Sequence, residues 1–273
     1  MTPPTTTTDA DFTRAIIVAA GRGSRLGPET EEIPKCMVKV AGRPMLHHQL
    51  DALAAAGVTD VVIVRGYKGT LIEGGGRPLR FVENPEWERN NIFASLIYAA
   101  AEMDRGFFFS YSDIVYAPMV AARLAAAARA TSAAAALIVD RRWSDAYVGR
   151  TLHPVPEAEL TAVTGTGHTA RITAVGKQVV PQAEAAGEFI GLAWFSPTGA
   201  RALLEVWQQA LAKGGLEPPF GRARALRHAY LSDGFNALAD AGHTLLPVFI
   251  DGEWREIDTG QDLAAAEPNV RGF

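Results

Sequence analysis

The sequence predicts an α/β chain built on a mostly parallel, doubly wound sheet, with a small β-rich insertion in its second half. Three observations predict it. Short apolar runs alternate with helical patterns through the first half, as repeated βα units require. Those runs are apolar almost without interruption, which is how strands covered on both faces read. In the second half, the turn-rich Thr164-Gly165-Thr166-Gly167 separates two alternating stretches, the pattern of an antiparallel hairpin.

Each element follows in chain order. Residues 15–20 (AIIVAA) are a buried parallel strand, and a Gly-rich loop comes next. A helix over 44–56 closes at Gly57, a residue suited to the left-handed position after a helix. Residues 61–64 (VVIV) and 79–82 are the next two strands. A helix over 92–103 begins at Asn90 or Asn91, either of which can cap it. A strand over 107–111 stops before Asp113, a helix covers 120–128, and 136–139 is a further strand. The hairpin lies within 161–180, followed by a strand over 189–195 and a helix over 199–213. A helix over 229–241 closes at Gly242; a strand over 245–250 and a helix over 261–267 complete the chain. Residues 1–12 are Thr- and Pro-rich without an apolar stretch, and read as a disordered tail rather than a signal peptide. Residues 13–273 then form a single Rossmann-like domain, with the insertion at about 141–195.

Composition narrows the function classes. The 273 residues are 48% hydrophobic, and the formal net charge is −4. That balance argues against a nucleic-acid surface, which is normally basic. Cys36 is the sole cysteine, which rules out an internal disulfide and a Cys-rich zinc site and suits a reducing, cytoplasmic setting. No run of about 18 apolar residues occurs, so no membrane span is expected. Oligomeric state is left open, a homodimer included.

The Gly-rich loop reads Ala19-Ala20-Gly21-Arg22-Gly23-Ser24-Arg25-Leu26. Leu26 stands where a dinucleotide fingerprint needs its third glycine, and the Gly-Lys-Ser/Thr of a P-loop is absent. The glycines still let backbone N–H groups approach an anion. Arg25 adds a planar fork suited to phosphate oxygens, and Lys35, after Pro34, adds a compact second cation.

This loop, with Pro34-Lys35 and the following Val40-Ala41-Gly42-Arg43-Pro44-Met45-Leu46, resembles the sugar-phosphate and choline-phosphate nucleotidyltransferases. The resemblance covers nearly the whole chain and is strongest in 15–46, 84–96 and 249–263. It implies a loop that wraps an NTP triphosphate through Ala20, Gly21 and Gly23. It also implies Arg25 and Lys35 as catalytic groups that stabilise the departing pyrophosphate, and the insertion as the lobe that binds the acceptor.

The stretch from Asn84 through Asn90, Asn91 and Ser95 offers amides and a hydroxyl, which can read a base edge or simply cap a helix. It resembles, with one residue's difference in spacing, the Asn-Pro…Asn-Asn-x-x-Ser-Leu pattern of bacterial choline-phosphate cytidylyltransferases. The resemblance implies CTP, with Asn84, Asn91 and Ser95 at the nucleotide. The same group includes enzymes that act on phosphonates such as aminoethylphosphonate or phosphonoformate.

Asp113 follows a central strand at its carboxyl end, where open α/β sheets bind ligands. Asp258 lies in Glu256-Ile257-Asp258-Thr259-Gly260 and can equally cap the last helix. Two such carboxylates are suitable Mg²⁺ ligands, and the resemblance assigns them that role. Asp113 lacks a carboxylate two positions earlier, where Tyr111 stands.

For the acceptor, Trp143 and Tyr147 can wall a quaternary ammonium by cation–π attraction. Arg141, Arg142 and Arg150 can instead hold an anion, or the segment is a flap with surface arginines. Lys177 and Glu188 resemble acceptor-lobe positions, Glu188 as counter-charge to a cation or as support for a metal. Tyr230 and Trp254 are further aromatic candidates, whereas His47-His48 falls on a helix and reads as structural. The expected reaction moves CMP from CTP to a small phosphorylated or phosphonate acceptor. The rivals are a hexose-1-phosphate nucleotidyltransferase and a non-catalytic nucleotide-binding regulator.

Overall fold

The computed structural model describes residues 12–273. The expected tail over 1–12 lies outside them except for Phe12, whose ring stacks on Trp194 at 5.1 Å.

The first half alternates as the apolar runs dictate. In order come β1 (Arg14–Ala19), α1 (Met45–Ala55), β2 (Asp60–Arg65), β3 (Arg80–Glu83), α2 (Ile92–Ile97) and β4 (Phe107–Tyr111). Then follow β5 (Ile114–Tyr116), α3 (Pro118–Arg129) and β6 (Ala135–Asp140). The second half adds β7 (Glu159–Thr164), β8 (Arg171–Lys177), β9 (Gly187–Phe195), α4 (Pro197–Ala212) and α5 (Leu231–Asp240). It closes with β10 (Leu245–Ile250), β11 (Trp254–Glu256) and α6 (Gly260–Val270). The expected helix over 92–103 is broken: α2 ends at Ile97, and a tighter turn over Ala100–Glu102 carries the chain back toward β4.

Nine strands share one sheet, in the order β8-β7-β9-β4-β1-β2-β3, with β6 paired to β9 and β10 paired to β6. The β1–β2, β1–β4, β2–β3 and β6–β10 pairs are parallel. Only β9 and β8 run against the rest. Successive residues of a strand point to opposite faces, and the core divides accordingly. Ile17 and Phe108 pack with Leu46, Leu50 and Leu124 of α1 and α3. Ile16, Val18 and Phe109 pack on the other side with Phe93, Leu203 and Phe235 of α2, α4 and α5. Each such buried side chain stabilises by about 1.5–3 kcal/mol relative to exposure, so both faces must be covered, and the sheet is doubly wound.

β9 is the joint of the molecule. Its second half lies between β4 and β6, while Gly187 and Glu188 pair with β7. The ladder with β6 shifts between Phe189 and Ala193, around Gly191 with φ +88°. A Cβ there would stand 2.3 Å from the Tyr111 ring, so only glycine fits. The β7–β8 hairpin therefore extends the central sheet past the end of β4.

The C-terminal segment closes over the Gly-rich loop. β11 pairs antiparallel with β5, and the Ile257 amide donates to the Asp113 carbonyl at 2.9 Å. Ile257, Ala266 and Val270 pack against Leu26, Val38 and Met45. Among the described residues no helix is long and apolar enough to cross a membrane.

Candidate active site

A cleft of about 360 Å³ opens at the carboxyl ends of β1 and β4 and runs under the β7–β8 hairpin. Ala20 is buried beneath it, while Gly21 and Gly23 form its rim. Gly23 is left-handed, and a Cβ on it would meet the Lys35 stem at 2.7 Å. The glycine is there so that the lysine can cross it. Lys35 is 93% buried by this arrangement, with 7% exposure. Its Nζ donates to Asp113 Oδ2 at 2.7 Å and also to Asp258 Oδ1. Arg25, half-exposed, reaches Asp258 Oδ2 at 2.8 Å.

The charges of this group settle one another. Burial alone would lower the Lys35 pKa, but the carboxylates of Asp113 and Asp258 outweigh it and hold the ammonium above its ordinary value. Burial would raise Asp258; Lys35, the His153 ring and Arg25 reverse that and hold it well below the carboxylate range. Asp113 keeps a buried Oδ1 without a hydrogen-bond partner among the described residues. An orphaned hard oxygen, beside a second carboxylate on another strand end, fits a divalent cation such as Mg²⁺. His153, Glu256 and Asp258 also bring ligating atoms within 4.8 Å of one another. Cations of the chain already serve that trio: Arg150 is 3.0 Å from Glu256, and Lys35 and Arg25 hold Asp258.

The asparagine segment forms the opposite wall. Asn90, Asn91 and Ser95 line the cleft. Asn84 does not; it is 1% exposed and donates to Asn90 Oδ1 and Ser95 Oγ, both at 2.9 Å. Asn91 is the α2 cap, accepting from the Ile92 amide at 2.8 Å, while its Nδ2 donates to the His228 carbonyl. Both uses of its amide are structural.

At the acceptor end the structure separates residues the sequence had grouped. Asp140, buried at the end of β6, accepts from the Arg142 and Gly252 amides and from the Trp254 indole. That pins the loop so that Arg141 and Arg142 lie outside the cleft. Arg141 forks onto Asp251 at 2.9 and 2.6 Å, and Arg142 onto Asp145. Trp143 and Tyr147 sit in a small core with Ala158, Leu160 and Val180. The Tyr147 ring is covered by Arg150 at 5.0 Å, and its hydroxyl donates to Glu188 Oε1 at 2.7 Å. Lys177 and Glu188 do line the cleft. Lys177 pairs with Glu157 at 2.8 Å and lies over the Tyr230 ring at 5.0 Å. Burial, then the nearby Glu256 charge, pushes Glu188 up to about 8.

Sequence reasoning passed over His153, Glu157 and Glu159. His153 is 1% exposed with Nδ1 2.9 Å from Asp258 Oδ2. It stands in an irregular loop, so no periodicity or paired spacing marks it. Glu157 and Glu159 flank the start of β7, and only the pairing of β7 with β9 brings them over the cleft.

A strand-end cleft with a Gly-rich rim, a buried lysine, an arginine at its mouth and paired carboxylates belongs to an α/β enzyme that handles phosphoanhydrides. The chain is a member of the MobA-like NTP transferase domain family, which matches residues 15–229, and is a nucleotidyltransferase. It is 28% identical over 258 residues to the CTP:phosphoglutamine cytidylyltransferase of Campylobacter jejuni, covering 91% of this chain and 97% of that one. It is 39% identical over 135 residues to the CMP-5'-(3-aminopropyl)phosphonate synthase of Streptomyces rubellomurinus, covering 47% of this chain but 22% of that protein. Among solved structures, the inositol-1-phosphate CTP transferase of T. maritima superposes with a TM-score of 0.71 at 21% identity, over 93% of this chain and 92% of that one. Likeness at that identity shows the fold alone.

Proposed function

We propose that this protein transfers CMP from CTP to a small phosphate or phosphonate acceptor and releases pyrophosphate. The observation that carries the reading is the junction of Arg25, Lys35, Asp113 and Asp258 at the cleft floor, facing a wall of Asn90, Asn91 and Ser95. Cytidylyltransferases acting on phosphorylated and phosphonate compounds among its relatives support CTP as donor.

An oxygen of the acceptor attacks the α-phosphorus. The bond from that phosphorus to the bridging oxygen breaks, and pyrophosphate leaves with the electron pair. The acceptor is already anionic near neutral pH, so no side chain has to remove a proton. The chain's work is positioning and charge stabilisation. The Gly21–Gly23 rim presents backbone N–H groups to the triphosphate. Arg25, half-exposed at the mouth, forks onto phosphate oxygens, and Lys35 supplies a fixed positive charge beneath the departing pyrophosphate. Asn90 and Ser95 offer donors and acceptors to the base. A Mg²⁺ held by Asp113 and Asp258 would supply screening of the triphosphate charge.

The test is pyrophosphate release with Mg²⁺, each of the four NTPs in turn, and a panel of acceptors: phosphocholine, aminoethylphosphonate, phosphonoformate and glucose-1-phosphate. Turnover confined to CTP is expected. Preference for UTP or dTTP with glucose-1-phosphate would overturn the base assignment.

A further inference from the structure

Behind the asparagine wall lies a second pocket. It holds about 430 Å³, within the roughly 300–1,000 Å³ of ligand sites, and nothing in the proposed reaction uses it. α2 is the partition between this pocket and the cleft. Ile92 and Ser95 line the cleft, Ala94 and Ile97 line the second pocket, and Asn90 lines both. Trp207, Leu211 and Leu216, from α4 and the segment after it, line it as well.

The lining has an apolar part and a cationic part. Trp207 is packed edge-on against Phe93 at 5.1 Å, while Leu211 and Tyr98 are left 39% and 37% exposed. Apolar surface left open in a concavity is where the body of a ligand loses its water. The Arg89 side chain is exposed and makes no hydrogen bond or ion pair among the described residues. Arg227 pairs through Nη2 with Glu217, while its Nε has no hydrogen-bond partner. The acid in the lining, Glu86, already accepts the Tyr98 hydroxyl at 3.0 Å. Two guanidiniums with donors to spare, lining an otherwise apolar hollow, match an anionic group on an apolar body.

Backbone hydrogen bonds tie this pocket to the cleft wall. The Arg227 amide donates to the Leu216 carbonyl at 3.1 Å, and the Arg227 carbonyl accepts from the Asn91 amide at 2.8 Å. Asn90 is hydrogen-bonded in turn to Asn84 and Ser95. A group seated against Arg227 and α2 therefore bears on both asparagines of the cleft.

We infer that this pocket is a second ligand site, for a small organic anion with an apolar body and a carboxylate or phosphate headgroup, and that its occupation tightens nucleotide binding in the cleft. The body lies against Trp207 and Leu211, and the headgroup between Arg89 and Arg227. The sign of the coupling follows from α2. A helix of 6 residues draws its order from packing rather than from its own hydrogen bonds. An occupant behind it supplies packing, and so removes part of the ordering cost that the nucleotide otherwise meets. The site stands independently of the CMP-transfer reading; the coupling to CTP rests on it.

The experiment uses the full chain and probes that differ only in headgroup: 2-naphthoate, 2-naphthyl phosphate and the neutral 2-naphthamide. Each is titrated calorimetrically, alone and with saturating Mg²⁺ and a non-hydrolysable CTP analogue. A naphthyl anion is expected to bind once per chain and at least about tenfold more tightly than the amide, as loss of a charged hydrogen bond implies. Which anion binds tells a carboxylate ligand from a phosphate one. The CTP analogue should tighten that binding by about fivefold, and the anion should tighten the analogue by the same factor. Arg227→Met and, separately, Leu211→Glu, which sets an acid in the pocket, should each weaken the anion by about tenfold and leave KM for CTP near native when no probe is present. Binding of neither anion, equal binding of the amide, an affinity unchanged in either variant, or displacement of the anion by the CTP analogue overturns the site. Sedimentation of the native chain as a dimer that Leu211→Glu dissociates gives the pocket to a second copy and overturns it too. Anion binding that is indifferent to the analogue overturns the coupling. Failure of the CTP analogue itself to bind sinks the donor assignment, and the coupling with it, while the probes and variants still decide the site.

Discussion

The two ends of the cleft are built on opposite principles. At the phosphate end, Arg25 and Lys35 touch Asp113 or Asp258, and opposite charges meet within about one bond length of a hydrogen bond. At the far end, Glu159 and Glu188 are buried and accept tyrosine hydroxyls, from Tyr111 at 3.0 Å and Tyr147 at 2.7 Å, rather than a salt-bridge partner. The first end is held by ion pairs of the chain's own, apart from the Asp113 Oδ1 oxygen; the second is held by neutral hydroxyl donors. Substitutions should therefore behave differently at the two ends, and the contrast can be broken in order of effect.

The largest effect is expected at Lys35. Lys35→Ala removes the cation between two buried carboxylates, and kcat in the pyrophosphate-release assay should fall by about a thousandfold or more. The fold should lose on the order of 3 kcal/mol, read from denaturant unfolding, because an unpaired buried charge remains. Activity within about tenfold of the native chain would show that the phosphate end is not the reaction centre.

Next comes the metal. Asp113→Asn keeps the shape of a side chain that has one orphaned oxygen. The Mg²⁺ concentration for half-maximal rate should rise by about 10- to 100-fold, and chelation should abolish turnover of the native chain. An unchanged Mg²⁺ titration would remove Asp113 from the metal site.

Arg150 tests the link between the ends. It is salt-bridged to Glu256 and, at 2.6 Å, to Asp262, which also accepts from the amides of Asp258 and Thr259. Arg150→Met should cost about 3 kcal/mol of stability by stranding two acids and raise KM for the acceptor more than KM for CTP. A neutral stability change would mean the network is slack.

Glu188 gives a pH dependence with a definite sign. Its folded pKa, about 8, lies above the ordinary 4.5, so the folded chain binds this proton more tightly than the unfolded one. The contribution is fully present below the ordinary value and is lost as pH rises through about 8. Glu188→Gln abolishes that loss. The variant's Tm relative to the native chain should climb by about 5 °C between about pH 5 and pH 8.5, on the order of 2 kcal/mol. A flat difference across that range would show that Glu188 titrates normally. The smallest effects belong to Arg141→Ala and Arg142→Ala. These exposed pairs should change stability by no more than about 0.5 kcal/mol and leave kinetics near native.

The contrast also explains what the sequence could show. The phosphate end was legible because its chemistry is local. A strand, a glycine rim, Arg25 and Lys35 follow one another between residues 14 and 35, and backbone rules alone demand glycine where Lys35 crosses. The acceptor end misled for the opposite reason. The stretch from Arg141 to Tyr147 concentrates suitable side chains, yet Asp140 ties its backbone so that the arginines face Asp251 and Asp145. β5 and β11, three residues each, are too short to show any periodicity, although their pairing joins the Asp113 and Asp258 segments.

By itself, the sequence determined the alternation of apolar runs, hence a sheet buried on both faces, and the Gly-rich loop at the carboxyl end of β1. Those properties depend on neighbours a few residues apart, and hydrophobic period and glycine freedom encode them directly. Only the tertiary structure decided which acids gather at the far end, which arginines turn away, and that His153 stands against Asp258. Such encounters join residues up to a hundred or more positions apart. Strand register and the demand that buried charge find a partner set them, and neither is written in any local stretch of chain.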